Sequence, residues 1–270
     1  MSDQEKSPAW AIDPHVPSVA RMYDYYLGGK DNFAADRAAA DKVVAAMPYV
    51  RTFTRDNRAL LSRVVTLLAR NGVRQFLDIG SGLPTQENVH QVAQRAAPDS
   101  RVVYVDNDPI VLVHGRALLA SNPLTTVVQA DLCDPAGILR HPEVRAQIDF
   151  DRPVAVLLLA ILHFVPDDEQ AASIVADLRK GLVPGSYLAI SHGHAGKVGE
   201  EVEAQVRGAY AKTTAGDIKP RTPGQVAAFL DGMELLEPGV VPVEAWRPPD
   251  DPVEPDFDKA GFLAAVGRVR

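Results

Sequence analysis

Three stretches of this chain end apolar runs on carboxylates, at places where an α/β protein does its chemistry. The first reads Asp78-Ile-Gly-Ser-Gly-Leu-Pro-Thr85 and closes the apolar run that begins at Gln75. Gly80 and Gly82 permit positive φ and let a ligand approach the backbone closely, with Ser81 between them. A dinucleotide fingerprint needs a third glycine where this chain has Thr85, and Pro84 removes an N–H that a diphosphate would use. Asp78 would repel a diphosphate and attract a cationic amine or sulfonium, although it can also bond the amides of its own loop. The second stretch ends Asp106-Asn107, some two dozen residues past the loop, which suits a carboxylate taking a ribose diol. Asp108, just ahead of Pro109, reads as a helix N-cap. The third ends Asp131-Leu132, a carboxylate for an exocyclic amine beside an apolar contact for a ring.

The histidines supply candidate bases. His163 follows the fourth apolar run, and His192 and His194 lie in Ser191-His-Gly-His-Ala195. His163 and His192 are the candidates for proton transfer, each with a plain alternative as a core histidine bonded to a carbonyl. His90, beside an apolar helix face, reads as structural. The His-x-His pair has no convincingly spaced third ligand, so no metal site is expected.

Such residues need a scaffold, and the periodicity supplies one. Helical runs cover Val19–Leu27 behind Ser18, Phe33–Ala46, and Arg55–Arg70, the last with Leu60, Leu61, Val64, Val65 and Leu68 on one face. Strands then alternate with helices five times, at Gln75–Ile79, Arg101–Asp106, Thr126–Ala130, Val154–Leu159 and Tyr187–Ser191. That alternation predicts a doubly wound, mostly parallel sheet. Thr85 would cap the helix after the first strand. Further helices are expected near 198–210 and 222–230, and two more extended pieces near 235–243 and 262–266 bring the strands to seven. The Pro-rich stretch 247–255 reads as a connector.

Composition bounds the rest. The 270 residues are 46% hydrophobic and 23% charged with a net charge of −7, which disfavours a protein that holds polyanionic nucleic acid. A single cysteine, Cys133, excludes a disulfide framework and fits a reducing compartment. The longest apolar run, Val154–Val165, is too short for the roughly 18 residues of a membrane span. A cytoplasmic protein without membrane or nucleic-acid partners is expected; oligomeric state is not legible.

Taken together, the Asp-x-Gly-x-Gly turn, the acid-ended second and third strands and Leu-Val-Pro-Gly-Ser-Tyr-Leu before the fifth resemble the class I S-adenosylmethionine-dependent methyltransferases. Pro17 to Phe33, Gln75 to Thr85 with Val89-His90, and Asp231 to Gly239 are more narrowly similar to an actinobacterial S-adenosyl methyltransferase family first catalogued as a domain of unknown function. The resemblance spans nearly the whole chain. It implies a Rossmann-like core over residues 71–270, an N-terminal helical cap over 1–70, and S-adenosyl-L-methionine as cofactor. Asp78, Gly80, Ser81 and Gly82 would hold the cofactor's amino-acid end. Asp106 and Asn107 would take the ribose and adenine edge, Asp131 and Leu132 the adenine, and Ala160 the floor. In the cap, Tyr23, Tyr26, Asn32 and Phe33 flank a Gly28-Gly29 turn that could hinge over a small-molecule substrate. Arg21, Lys30 or Arg58 would pair with the cofactor's carboxylate. Two other readings stay open, an NAD(P)-dependent oxidoreductase on the same sheet and a non-catalytic cofactor-binding member of the fold.

Overall fold

The structure is a computed structural model that describes residues 12–84, 87–119 and 121–270. Three helices come first: α1 (Val19–Tyr26), α2 (Ala34–Ala46) and α3 (Val50–Arg70). Strand and helix then alternate through β1 (Gln75–Ile79), α4 (Val89–Ala96), β2 (Arg101–Asp106), α5 (Pro109–Leu119) and β3 (Thr125–Gln129). Two single-turn-scale helices, α6 (Pro135–Arg140) and α7 (Pro142–Gln147), precede β4 (Ala155–Leu159), α8 (Asp168–Lys180) and β5 (Tyr187–His194). The chain closes with α9 (Glu200–Tyr210), α10 (Pro223–Ala228), β6 (Glu234–Leu235), β7 (Val241–Pro242) and β8 (Gly261–Arg268).

The sheet order is β3-β2-β1-β4-β5-β8-β6, with β7 also on β8. The first five strands are parallel, and β8 runs antiparallel to β5 with Tyr187 opposite Arg268 and His194 opposite Gly261. This is the Rossmann-like α/β fold expected. The chain crosses from β3 back past β1 to β4, so a crevice opens at the carboxyl ends of β1 and β4, the switch point where such sheets bind ligands. The sheet has eight strands rather than seven, because the 235–243 piece breaks into β6 and β7, which pair successively with the same edge of β8.

Strand alternation divides the core. Phe76, Val102, Tyr104 and Leu157 face α3, α4 and α5, while Leu77, Val103, Val105 and Val156 face α6, α7, α8 and α10. Burial on both faces is what makes these strands read as continuous apolar runs. The apolar stripe of α3 packs on the sheet, so most of this helix belongs to the core and not to a cap ending at 70. A separate cluster joins Met22 and Tyr26 of α1, Ala39, Ala40 and Val43 of α2, Val50 at the start of α3, and Val206 and Ala209 of α9. The roof over the sheet is therefore built from both ends of the chain. Among the described residues no helix is long and apolar enough to cross a membrane.

Local departures from the expectations have local causes. Helix α3 starts at Val50, directly behind Tyr49 as its N-cap, rather than at Arg55. Helix α4 starts behind Asn88, whose backbone N–H donates to Gln91 Oε1 at 2.9 Å in a capping box. Thr85, the expected cap, lies outside the described residues. Helices α6 and α7 were not foreseen, yet each opens on a proline, behind Asp134 and His141 whose side chains accept from Gly137 N and Glu143 N.

One buried arginine ties the second layer to the sheet. Arg221 is 2% exposed and donates to Asp168 Oδ1 at 2.9 Å, Leu162 O at 3.2 Å, Val165 O at 2.9 Å and His192 Nε2 at 2.9 Å. It thereby fixes the β4–α8 connection to the end of β5. Losing a buried, multiply bonded guanidinium leaves several carbonyls unpaired. Arg221→Ala should destabilise the fold by about 3 kcal/mol, a fall in Tm of roughly 6–12 °C, and Arg221→Lys should restore less than half of it because an ammonium cannot span the fork. Thermal unfolding checks this; a Tm within about 2 °C of the parent would show the network to be dispensable.

Candidate functional site

A cavity of about 370 Å³ lies over the carboxyl ends of β1 to β5 and beside the start of β8, roofed by α1, α2 and α9. Asp78, Gly80, Ser81, Gly82, Asp106, Asn107, Asp131, Leu132 and Ala160 all line it, so the fold gathers in one wall the residues singled out at the ends of four separate strands.

The glycine loop is laced to the end of β2. Gly80 N donates to Val105 O at 2.8 Å, and Gly82 N to Asp106 Oδ2 at 2.9 Å, while Asp106 Oδ1 accepts from Asp108 N at 2.9 Å. Gly80 has φ +73°, and a Cβ there would come 2.5 Å from the Ile161 side chain, so no other residue passes beneath β4's end. Asp106 keeps lone pairs for a further donor after serving two amides. Asp108 caps α5, accepting from Ile110 N, and its other oxygen takes the Ser18 hydroxyl at 2.6 Å, which pins α1 to the sheet. Asp131 accepts from Cys133 N at 2.8 Å and is otherwise exposed, with Leu132 buried beside it.

Asp78 differs from these. It is 5% exposed, and among the described residues no amide or side chain donates to it. Burial raises its carboxyl to about 7, against the pull of the Arg58 charge and helped by Asp106. Burial also raises Asp106 to about 6, against the amides of Asp108 and Gly82. Both acids thus sit where an ionised carboxylate is poorly solvated, and only Asp78 has a nearby guanidinium, that of Arg58. Ala160, at the end of β4, takes φ 55° while its N–H bonds Ser191 O at 3.0 Å and Ser191 Oγ at 2.9 Å. A left-handed alanine costs on the order of 1 kcal/mol, and strain of this kind gathers at functional sites.

The cap residues divide. Tyr23 and Tyr26 line the cavity. The Tyr23 hydroxyl accepts from Asn57 Nδ2 at 3.0 Å and donates to Thr54 O at 3.3 Å, and the Tyr26 hydroxyl meets that of Tyr210 at 3.3 Å. Asn32 and Phe33 lie outside the cavity wall. Asn32 donates to Asp24 Oδ2 at 2.9 Å, and Phe33 is an exposed ring under the Arg21 guanidinium. The Gly28-Gly29 turn is held rather than hinged, since Asp24 also accepts from Asp31 N and a Cβ on Gly29 would overlap its carboxylate. Of the three cations proposed for a carboxylate, Arg21 is committed to Asp36 at 2.7 Å, Lys30 is exposed and off the wall, and Arg58 lines the cavity close to Asp78.

The histidines also part. His163 lines the cavity, and burial holds its ring well below the ordinary range, so it is neutral. Gly193 N donates to its Nδ1 at 3.4 Å, which leaves the ring proton on Nε2 and makes His163 a donor before it is a base. His192 is off the wall. Its Nδ1 faces Gly193 O at 2.9 Å and its Nε2 accepts from Arg221, and burial lowers it to about 4. That is the core histidine bonded to a carbonyl, and its geometry gives it no access to a ligand. His194 lines the cavity with both ring nitrogens on carbonyl oxygens, of Arg221 and Phe257, each at 3.0 Å. His90 bonds the Tyr104 hydroxyl at 2.8 Å, a structural contact. Among the described residues no group of histidine, cysteine and carboxylates could hold a metal. Sequence reasoning missed Phe53, Tyr210 and Phe262 in the wall, because their spacing reads as ordinary helix and strand packing.

The carboxyls carry a stability consequence. Each folded value lies above the ordinary value of 3.8, so between them the folded state binds more protons than the unfolded one, and stability contributed here falls as pH rises. Asp78→Asn removes the charge and keeps the shape. The variant should equal the parent in stability near pH 4 and gain over it progressively to about pH 7, read by denaturant unfolding of the ligand-free protein. A constant difference across that range would mean that Asp78 titrates normally.

The family model for S-adenosyl methyltransferases matches residues 5–270. A solved DUF574 family protein from Streptomyces avermitilis is 44% identical with a TM-score of 0.89, over 96% of this chain and 100% of that one. A protein from Thermobifida fusca, provisionally assigned as a methyltransferase, is 43% identical with a TM-score of 0.87, over 95% and 96% of the two chains. No protein of curated function matches. With the model covering nearly every residue and the strand-end carboxylates gathered in one cavity, the chain belongs to the S-adenosyl methyltransferase family.

Proposed function

We propose that this protein transfers a methyl group from S-adenosyl-L-methionine to a small-molecule acceptor enclosed beneath the cap. The observation that carries the reading is Asp78. A buried carboxylate with no donor among the described residues, raised to about 7 and lining a roofed cavity, fits a ligand that brings a cation. A diphosphate ligand would add negative charge to Asp78 and Asp106, which disfavours a nicotinamide dinucleotide.

The residues fit the cofactor part by part. Asp78 and Arg58 offer opposite charges to an ammonium and a carboxylate, and the Gly80-Ser81-Gly82 backbone leaves room for the chain between them. Asp106, already oriented by two amides, would accept from ribose hydroxyls, with Asn107 at the adenine edge. Asp131 and Leu132 would meet the adenine's amine and ring, over the floor made by Ala160. Bound there, the cofactor supplies a methyl carbon already activated by its sulfonium, whose bonding pair returns to sulfur on transfer. The chain's part is to align and desolvate. Helices α1, α2 and α9 exclude water, and His163 can donate from Nε2 to orient an acceptor oxygen or nitrogen. Acting as a base would require His163 to exchange tautomers first.

Calorimetric titration with S-adenosylhomocysteine tests this. Binding well below millimolar is expected, tightening as pH rises to about 7 and level above it, because Asp78 must lose its proton to serve a cation. Titrations in buffers of different ionisation enthalpy should show proton release near pH 6.5 in the parent and much less in Asp78→Asn. Asp106→Ala should weaken affinity by about 1–3 kcal/mol through unpaired hydroxyls. No binding below millimolar, or tighter binding of NADH, would sink the reading.

A further inference from the structure

The cavity has two chemically different halves. Over β1, β2 and β3 it is lined by the glycine loop and the carboxylates. Over β4, β5 and β8 it is lined by rings. Phe53 of α3 meets Phe262 of β8 edge-on at 5.2 Å; Phe262 lies 5.7 Å from the His163 ring, His163 4.3 Å from Phe164, and Phe164 5.8 Å from Tyr210. Tyr210 in turn touches Tyr26 through their hydroxyls. These six side chains form one continuous chain of rings, and all line the cavity. The enrichment is large for this protein. It has only 8 phenylalanines and 7 tyrosines, and Phe53, Phe164, Phe262, Tyr23, Tyr26 and Tyr210 all fall in this wall. Val43, Met47, Val50 and Val206 fill the gaps between the rings.

Charge is scarce in this half. Burial keeps the His163 ring neutral, and both ring nitrogens of His194 are taken up by carbonyl oxygens. Of its charged groups, Asp24 is taken up by Asp31 N and Asn32, and Arg207 by Asp217 at the exposed rim, which leaves Glu203 of α9. Among the described residues an anion would meet Glu203 and no uncommitted cation there, and would lose its hydration against carbon. A cationic acceptor would stand beside the sulfonium of the bound cofactor. The half suits a flat, uncharged molecule.

We propose that the methyl acceptor is an uncharged aromatic compound of one or two rings, held against Phe53, Phe262, Phe164 and Tyr210 over β4, β5 and β8. This rests on the cofactor reading above, which assigns the other half of the cavity. Ring contacts fix the plane of such an acceptor and leave His163 Nε2 as the donor that sets its rotation within that plane. Its modest size follows from the cavity, which must also take a nucleoside.

Three probes of one shape and different charge test it: 2-naphthol, 2-naphthoate and 2-naphthylmethylammonium, titrated at pH 7 into protein saturated with S-adenosylhomocysteine. Naphthol should bind about tenfold or more tighter than either ion. Phe164→Leu, a half-buried position, should weaken naphthol about fivefold by loss of one ring contact. Equal or tighter binding of naphthoate overturns the proposal. So does tighter binding of the ammonium, which would hand the site to Glu203 and Asp24, and so does the absence of binding by any probe up to low millimolar. Failure of S-adenosylhomocysteine to bind in the first step would instead strike the cofactor reading.

Discussion

Asp78 and Asp106 end neighbouring parallel strands inside a roofed cavity, and among the described residues no cationic side chain is hydrogen-bonded to either. Taking a carboxylate out of water is expensive, and the fold tolerates both by leaving them part-protonated near neutral pH. The two are handled differently. Asp106 is held by loop amides and shapes the glycine turn, so part of its desolvation is offset. Asp78 has only the nearby charge of Arg58. The arrangement destabilises the protein as pH rises, and costs of this kind recur at functional sites.

The roof depends on a second set of buried polar contacts. Arg21 and Asp36 form an ion pair with both side chains almost fully buried, and Asp36 also accepts from the backbone of Ser18 and Phe33. The Ser18 hydroxyl reaches Asp108 at the end of β2. Helix α1 is therefore bolted by its N-cap and first turn to both α2 and the end of β2, while Tyr26 at its other end couples it to α9. The expected hinge at Gly28-Gly29 is occupied by the Asp24 carboxylate and its donors, which makes that turn a brace. On the α9 side, Val206, Ala209 and Tyr210 meet α1 and α2 through apolar contacts and one hydroxyl pair.

The legible and illegible parts of the site separate along physical lines. Asp78, Asp106 and Asp131 were legible because a parallel strand announces its end by a change from apolar to polar, and the fold class dictates that those ends converge. Helices α6 and α7 escaped notice although Asp134-Pro135 and Pro142 carried their start signals, since each is too short to show a period. His192 was misplaced because alternation along β5 turns it away from the cavity, toward Arg221 and the layer of α8 and α10. Arg21 was misjudged because only the fold reveals that Asp36, fifteen residues on, already holds it.

By itself the sequence determined the alternation, the parallel sheet, the glycine turn and the acids beside it, for these follow from local periodicity and from rules of chain topology. Tertiary structure alone decided which polar groups are already satisfied and which face empty space. It paired Arg21 and Arg221, turned His192 inward and left Asp78 without a donor among the described residues. It also brought Phe53, Phe164, Tyr210 and Phe262, drawn from four distant elements, into one wall. Burial and partnership are properties of neighbours in space, and a linear pattern records only neighbours along the chain.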